Sequence, residues 1–291
     1  SGYLTNLFCK FSDEVVGVDY QEGFILEAKK KFSNPKFYTG NIYNLKKIHG
    51  LFDLVVCFGV LQNISDLELA LKNINKDNTL TEGERADGWV LLFDGNDINS
   101  SWRGFKMETS PTNWIIDDGA IFLDPQAGGT SGDIITREKY GQFELTLEWK
   151  VAPGSNSGIF YHVVESDQYE FTYETAPEMQ VLDNDLHPDS AFKQHRAGDL
   201  YDLMESRIEN VLPVGEWNKV RIIINGDTLQ QWQNDQLVIE TIMWDDNWAE
   251  LIANSKFATW PGFGKSRIGH IALQDHTDPV WFKNIKIKRL D

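Results

Sequence analysis

Residues 178–189 read EMQVLDNDLHPD, a stretch in which polar and apolar side chains alternate before an acidic loop. This alternation is typical of a β-strand with one buried face, because successive side chains of a strand point to opposite sides of its sheet. Met179 and Val181 would face one side, and Glu178 and Gln180 the other. We therefore expect a sheet that buries its apolar side and presents a carboxylate and an amide on the opposite side.

Two further stretches repeat this pattern. In GHIALQDH the aliphatic side chains point inward and three polar side chains point outward: His270, Gln274 and His276. In SGIFYHV the alternation turns Phe160 and His162 outward. If the three strands are neighbours, they offer histidines, a glutamate and two glutamines to one open face of the sheet.

A face of this kind suits a polyhydroxylated ligand, because amides and carboxylates pair with hydroxyl groups while aromatic rings stack on sugar faces. The rings that could contribute are Trp260, Phe263 and Trp281. His187, in the acidic loop, is a further candidate. The same loop contains Asp183, Asn184 and Asp189, for which turn formation is the ordinary role.

The 291 residues carry a net charge of −17. This charge argues against nucleic acid and anionic membranes as partners, because both present phosphate. The sequence has no run of 18 apolar residues, so we expect no membrane insertion. It begins Ser-Gly without the basic and apolar segments of a signal peptide, and we read this start as processed or engineered.

The chain changes character near residue 76. Both cysteines, Cys9 and Cys57, precede this point, and all ten tryptophans follow it. Residues 1–75 contain eight lysines and eight acidic residues, so the whole net charge falls on the remainder. Two cysteines give no disulfide framework. The composition therefore indicates two different segments.

In residues 1–75 short apolar strands alternate with helical segments, which indicates βαβ units on a parallel sheet. Residues 76–88 form a polar linker in this interpretation. Residues 89–291 contain many short alternating strands separated by turn residues, with WAELIANS as the clearest helix. This density of strands predicts a mainly β fold, a β-sandwich or jelly roll.

The opening SGYLTNLFCKFSDEVVGVDY resembles the nucleotide-binding start of class I S-adenosylmethionine-dependent methyltransferases. The resemblance implies cofactor-binding roles for Gly2, Asp19 and Asn41, since that family uses a Gly-rich turn and an acidic ribose ligand. The first strand and the leading glycines of the motif are absent, and the later strands do not follow. We therefore interpret residues 1–75 as an incomplete Rossmann-like fragment joined to another protein, and expect no functional S-adenosylmethionine site.

Residues 78–291 resemble the bacterial 3-keto-disaccharide hydrolase family through a series of motifs in order: GWVLLFDGNDINSSWRG, NSGIFYH, PEMQVLDNDLHPD, RAGDLYDL, PVGEWNKVRI, SKF, GFG, IALQDH and VWFKNIKIKRL. The resemblance implies a concanavalin-like jelly roll. It also implies an exported protein, periplasmic or at the cell surface, whose partner is an oligosaccharide or glycoside oxidised at C3 of the sugar.

A ketone at C3 acidifies the C2 proton, so a single base can start cleavage of the glycosidic bond by β-elimination, with or without later addition of water. We predict Glu178 as this base and His276 as its partner in acid catalysis or enolate stabilisation. The residues predicted to bind the sugar are His162, Gln180, His187, Gln274 and Trp260.

A divalent metal ion is an optional cofactor in this interpretation. His162, Glu178 and His276 would be its ligands, and the ion would act as a Lewis acid on the ketone. Lys265 and Arg196 are candidate electrostatic stabilisers, with solvated surface roles as the ordinary alternative.

Three other functions stay open on the sequence. A non-catalytic carbohydrate-binding module could use the same fold, because fold does not fix function. An ordinary glycoside hydrolase would need a second carboxylate about 5 to 10 Å from Glu178, for which Glu170 and Asp183 are the candidates. A methyltransferase would bind S-adenosylmethionine through the first segment.

Overall fold

The computed structural model describes four parts of the chain, residues 15–19, 22–33, 35–39 and 77–291. The chain divides into two compact units, Ser1–Asp77 and Asn78–Asp291. Each unit is described below by itself.

The described part of the first unit contains two parallel strands, β1 (Val16–Asp19) and β2 (Lys36–Thr39), with α1 (Glu22–Lys31) between them in the sequence. Buried side chains of α1 pack against Phe37 of β2. Asp19, the predicted ribose ligand, is the last residue of β1. Gly2 and Asn41 lie outside the described residues, and the cofactor-binding roles of all three residues stay predictions.

The second unit contains thirteen strands: β3 (Trp89–Leu91), β4 (Trp102–Gly104), β5 (Trp114–Asp117), β6 (Ala120–Leu123), β7 (Ile134–Thr136), β8 (Phe143–Val151), β9 (Asn156–Val163), β10 (Glu178–Leu182), β11 (Asn218–Asn225), β12 (Thr228–Gln233), β13 (Gln236–Ile242), β14 (His270–Leu273) and β15 (Val280–Arg289). Five of them form an antiparallel sheet in the order β10-β9-β14-β7-β4. The other eight form a larger sheet in the order β13-β12-β11-β8-β15-β6-β5, and β3 also pairs with β15.

The two sheets pack face to face because their strands alternate apolar and polar side chains. In β8 every second residue from Phe143 to Val151 is buried, and the residues between them are partly exposed. Ile159 of β9 and Met179 of β10 belong to the same large apolar cluster as these β8 residues. The second unit is therefore a mainly β sandwich, which confirms the predicted fold class.

The smaller sheet is buried on both faces. Met179 and Val181 point into the main core, as the alternation predicts, and Phe160 and Ala176 belong to a separate apolar cluster on the outer face. All residues of β9 and β10 are buried. Segments outside the strands must therefore cover the outer face, so polar groups on it are not simply solvated.

Residues 78–88, expected to be linker, are part of the second unit. The backbone N–H of Asn78 donates to Asn284 Oδ1 at 2.6 Å, and the N–H of Asn284 donates to Asn78 Oδ1 at 2.8 Å. Lys286 Nζ donates to Glu84 Oε1 at 2.7 Å. The polar composition of the stretch hid this packing, because its partners lie on β15, about 200 residues away in the sequence.

Two short helices complete the elements used below. α2 (Glu82–Ala86) begins at a capping box formed by Thr81 and Glu84. α3 (Asp246–Ala253) begins at the N-cap residue Asp245 and contains most of the predicted WAELIANS helix. Within the described residues, no helix has the length and apolar character needed to span a bilayer.

Candidate active site

A pocket lies on the outer face of the smaller sheet, where β9, β10 and the end of β14 meet the covering segments. Its polar lining consists of Asn156, Glu178, Gln180, Lys256, Gln274 and His276. The aromatic lining consists of Phe160, Tyr173, Tyr201, Phe257 and Trp260. The structure thus brings together five residues predicted for the site, namely Glu178, Gln180, Gln274, His276 and Trp260.

Glu178 is the first residue of β10, and its side chain crosses the neighbouring strand at Gly158 of β9. Gly158 pairs with Gln180, two positions along β10, so the carboxylate lies over a residue without a side chain. A Cβ atom on Gly158 would lie 2.0 Å from Glu178 Oε1 and 2.9 Å from Glu178 Cγ. Glycine at position 158 therefore makes the space that the carboxylate occupies.

Glu178 is only 6% exposed. Burial raises its pKa well above the ordinary value for a carboxyl group, while the Lys256 charge opposes this rise and the Asp133 and Asp189 charges add to it. No group in the described part of the chain donates a hydrogen bond to the carboxylate. A buried carboxylate without donors is a stronger base than a solvated one.

Three amide side chains line the same pocket as this carboxylate. Gln180 is fixed by its Nε2, which donates to the His195 carbonyl at 3.3 Å, and by its Oε1, which accepts from the Val181 backbone N–H at 3.2 Å. The oxygen atoms Asn156 Oδ1 and Gln274 Oε1 are buried and accept no hydrogen bond from residues 77–291. These two oxygens can accept hydrogen bonds from hydroxyl groups of a ligand.

Lys256 and Tyr201 belong to the part of the pocket that the sequence reasoning missed. The Lys256 ammonium lies 4.1 Å from the centroid of the Tyr201 ring. Burial lowers the pKa of this ammonium, and the Glu178 and Asp202 charges oppose the shift. The motifs SKF and RAGDLYDL, which carried part of the family resemblance, contain both residues and were the signal that could have identified them.

His276 lies at the rim of the pocket and is half-exposed. Its Nδ1 lies 3.5 Å from Asp278 Oδ2, and Asp278 Oδ2 also accepts from the Asn156 backbone N–H at 3.1 Å. The ring of His187 meets the His276 ring edge-on at a centroid distance of 6.0 Å. His187 therefore lies beside the site, although it does not line the pocket.

His162 is not in the pocket, and the predicted outward orientation of its side chain is wrong. Its ring packs in the main core between Phe143 and Trp244, at centroid distances of 6.0 and 5.9 Å. Its Nε2 donates to the Gly141 carbonyl at 2.8 Å. Because a carbonyl can only accept, the hydrogen is on Nε2.

A β-bulge causes this reversal. Val163 of β9 pairs with His270 of β14, and Phe160 pairs with Ala272, so β9 carries one residue more than its partner over this interval. His162 itself has a left-handed backbone, with φ 59°. The extra residue shifts the alternation by one position and turns His162 toward the core.

The predicted metal ligand set of His162, Glu178 and His276 is therefore not brought together. Within residues 77–291 and the shorter described segments, one group offers three ligand atoms within 4.8 Å of one another, namely His187, His276 and Asp278. Two imidazoles and a carboxylate suit a divalent transition metal. However, His187 Nδ1 accepts from the Asp189 backbone N–H at 3.2 Å, so a neutral His187 carries its hydrogen on Nε2. Binding of a metal ion through Nε2 would require this hydrogen to move to Nδ1, which would break the hydrogen bond from the Asp189 N–H.

The remaining candidates lie outside the pocket. His270 is buried, and its Nδ1 contacts the Thr136 carbonyl at 2.6 Å. Phe263 stacks on Phe257 in the core at 3.8 Å, and Trp281 stacks on Phe122 on the larger sheet. The side chains of Lys265 and Arg196 do not line the pocket, and Arg196 pairs with Glu209 at 2.7 Å.

Another carboxyl group, Asp133, is partly buried, and its charge acts on Glu178. Burial raises its pKa to about 6. Both of its oxygens accept hydrogen bonds, one from the Asp275 backbone N–H at 2.8 Å and the other from the Thr172 hydroxyl. Asp183, a candidate second carboxylate in the sequence reasoning, accepts from Gly154 and Asp185 backbone N–H groups at 2.6 and 3.0 Å and so shapes its turn.

Comparison with known proteins finds a family match in each of the two units. Residues 88–288 match the family model of the 3-keto-alpha-glucoside-1,2-lyase-like domain, and residues 1–76 match a methyltransferase domain model. A curated 3-keto-disaccharide hydrolase from Bacteroides thetaiotaomicron is 40% identical over 232 residues, which cover 71% of this chain and 80% of the relative.

Solved structures show the same similarity. A Parabacteroides distasonis protein provisionally described as a glycosyl hydrolase superposes with a TM-score of 0.68 at 33% identity, covering 74% of this chain and all of that one. A second protein from the same organism, with the same description, gives a TM-score of 0.50 at 25% identity over 70% of this chain and 84% of its own. This chain therefore belongs to the 3-keto-alpha-glucoside-1,2-lyase-like family and is a carbohydrate-active enzyme.

Proposed function

We propose that the protein cleaves the glycosidic bond of 3-keto-glycosides, including 3-keto-disaccharides, and that Glu178 starts the reaction by removing the C2 proton. The observation that carries this proposal is the state of Glu178. Its carboxylate is buried in the pocket, has a raised pKa and receives no hydrogen bond from the described residues. A base for a carbon acid needs these properties, since hydrogen bonds to the carboxylate would lower its basicity.

The reaction balances with one base and one acid. The C2–H bond breaks, its proton moves to Glu178, and its electron pair forms an enolate with the C3 ketone. The enolate then reforms the ketone as a C1=C2 double bond appears and the C1–O bond to the leaving group breaks. The leaving oxygen takes a proton, and later addition of water across C1=C2 gives the net hydrolysis product.

His276 is the proposed acid for the leaving group. It lies at the pocket rim, where a departing alcohol would leave the site. Asp278 lies on the Nδ1 side of the ring, which leaves Nε2 as the nitrogen that can face the ligand. Proton transfer by a positioned side chain typically contributes about 10²–10⁴-fold to a rate.

The amides and rings of the pocket are the proposed sugar-binding groups. Gln180, Gln274 and Asn156 present polar atoms to the pocket that contains Glu178. Trp260 and Tyr173 tilt toward each other with ring centroids 5.5 Å apart and offer apolar surface to a sugar face.

An ordinary glycoside hydrolase is less compatible with these carboxyl groups. Such an enzyme would need a second carboxylate as nucleophile or base, whereas Asp133 has both oxygens engaged by hydrogen bonds. A binding module also explains the amides and rings, but it gives no reason for an unpaired buried carboxylate, which costs stability. The Asp133→Asn variant tests the ordinary glycoside hydrolase. If Asp133 were the nucleophile or base of such an enzyme, this variant would lose activity on the unoxidised sugar.

A divalent ion stays an optional part of the proposal. His187, His276 and Asp278 would hold it, after His187 gave up its hydrogen bond from Asp189. The ion would supply Lewis acidity toward an oxygen of the sugar.

The test is release of a chromogenic aglycone from an aryl 3-keto-glucoside, run beside the unoxidised aryl glucoside, with and without a chelator. We expect release from the keto sugar alone. Loss of release with chelator would support the ion. Equal release from both sugars, or release from the unoxidised glucoside alone, would contradict the proposal.

The periplasm or cell surface is the proposed location. Its support is the family resemblance, because enzymes that degrade external glycosides act there. Fractionation of the host bacterium, with detection of the protein by antibody, would test it, and recovery in the cytosolic fraction would contradict it.

A further inference from the structure

We propose that Lys256 is a catalytic residue whose ammonium binds the C3 oxygen of the sugar and stabilises the enolate that forms when Glu178 removes the C2 proton. The structural basis is the position of one ammonium group in the same pocket as one buried carboxylate. This inference rests on the proposed function and assigns the group that carries the developing negative charge.

The backbone holds Lys256 in place. It is the first residue of a 3₁₀ helix, Lys256–Thr259, and its N–H donates to Asp202 Oδ2 at 2.7 Å. The other oxygen of Asp202 contacts His195 Nε2 at 2.8 Å. Asp202 therefore joins the start of this helix to the segment that carries Tyr201.

Aromatic rings hold the side chain. The Lys256 ammonium lies 4.1 Å from the Tyr201 ring centroid and 5.2 Å from the Phe257 ring centroid, and both rings line the pocket. Such cation–π contacts orient an ammonium group without consuming its N–H donors in an ion pair. Among residues 77–291, no side-chain oxygen forms a salt bridge with this ammonium.

The charge balance of the pocket favours the same assignment. Lys256 is the one lysine or arginine among the described residues that line it. The Lys256 charge lowers the pKa of Glu178, and the Glu178 charge raises the pKa of Lys256, so the two groups share one electrostatic field. When Glu178 takes the proton, its negative charge is replaced by the charge on the enolate oxygen. The pocket therefore still holds one negative charge to pair with Lys256.

This placement explains how an enolate can form in a buried site. Removing the C2 proton places a negative charge on O3, and a hydrogen-bond donor must stabilise this charge. A preorganised donor at a developing oxyanion is worth about 10²–10³-fold in rate. The ammonium donates a hydrogen bond to O3 but keeps its proton. The electron pair on O3 can therefore reform the ketone when the C1–O bond breaks.

The experiment separates enolate formation from loss of the leaving group. 1,5-Anhydroglucitol oxidised at C3 has the ketone and the C2 proton, but its C1 carries only the ring oxygen and no exocyclic leaving group, so exchange of its C2 proton with D₂O reports enolate formation without loss of an aglycone. We expect wild-type protein to catalyse this exchange, as followed by NMR at saturating ketone. Lys256→Met should reduce the exchange rate at least about 10²-fold and leave the affinity for the ketone within a few-fold.

The controls make each outcome decisive. Lys265→Met, which removes an exposed lysine outside the pocket, should exchange at the wild-type rate. Lys256→Arg should recover part of the exchange, because it keeps the charge. Exchange by Lys256→Met within threefold of wild type, or a loss of affinity with a normal rate at saturation, would overturn the role of Lys256 and leave the proposed function intact. Absence of both exchange and aglycone release in wild type would overturn both.

Discussion

The carboxylate of Glu178 lies directly over Gly158 on the adjacent strand, so that a Cβ atom at position 158 would come within 2.0 Å of Glu178 Oε1. The pairing of Gln180 with Gly158 fixes this relationship through the backbone register. The proposed base can take this position because residue 158 has no side chain. The position of Glu178 therefore depends on glycine at a residue of a different strand.

Gly158→Ala should impair catalysis. The added methyl group must displace the Glu178 carboxylate or shift β9, and we expect kcat to fall about 10²-fold, since small displacements of a catalytic group cost that much. Stability should fall by about 1–3 kcal/mol through overpacking. Gly128→Ala is the matched control, because no atom lies within 4 Å of a Cβ atom there. Activity of Gly158→Ala equal to that of this control would contradict the positional argument.

Glu178→Gln should remove the base while keeping the size of the side chain. We expect release of aglycone from an aryl 3-keto-glucoside to fall about 10²–10⁴-fold, the range for loss of a general base. Glu170→Gln, which changes an exposed glutamate outside the pocket, should act like wild type. Activity of the Glu178→Gln variant within a few-fold of wild type would remove Glu178 from the mechanism.

Burial of Glu178 should also appear in the pH dependence of stability. Its pKa is raised in the folded state by burial, so the folded protein binds this proton more tightly than the unfolded chain, whose glutamate pKa is about 4.3. The favourable contribution is present below that value and is lost as pH rises through the folded-state pKa. Glu178→Gln should therefore melt at a higher temperature than wild type at pH 8, with the difference shrinking toward pH 4.

The comparison must be made between variants, because other groups titrate in the same region. Burial raises the pKa of Asp133 to about 6, and Lys256, Asp189 and His276 also carry charge near the pocket. These groups are common to wild type and Glu178→Gln. A difference in melting temperature that does not change between pH 4 and pH 8 would contradict the assigned burial effect.

Trp260→Ala should weaken substrate binding more than catalysis. Trp260 lines the pocket and is tilted against Tyr173, but it carries no group that can move a proton. We expect KM to rise about 3- to 10-fold, corresponding to loss of an aromatic contact, with a smaller change in kcat. Steady-state kinetics on the aryl 3-keto-glucoside would measure both. A large fall in kcat at unchanged KM would contradict a stacking role.

The sequence predicted the parts of the site that depend on regular strands. β10 pairs with β9 without interruption, so alternation correctly placed Glu178 and Gln180 opposite Met179 and Val181. Gln274 and His276 followed from the same rule, because Ile271 and Leu273 enter the main core. The mainly β sandwich followed from the number and spacing of such strands.

The sequence failed where the backbone departs from regular geometry. A non-glycine residue with a left-handed backbone gives no compositional signal, so the bulge at His162 was invisible to an alternation rule. Lys256 and Tyr201 come from segments outside the strands, and their proximity to Glu178 depends on the tertiary fold. Residues 78–88 were interpreted as linker because the β15 residues that they contact lie about 200 positions away in the sequence.

The measurement that tests the central claim most directly is the fate of hydrogen at C2. An aryl 3-keto-glucoside labelled with deuterium at C2 would be cleaved in ordinary water, and the sugar product analysed by mass spectrometry and NMR. We predict that wild-type protein releases the label, because Glu178 takes this atom before the glycosidic bond breaks, and that the product is the C1=C2 enone or its hydrate without deuterium. A 3-keto sugar product that retains deuterium at C2 would show that the bond breaks without C2 abstraction and would contradict the account.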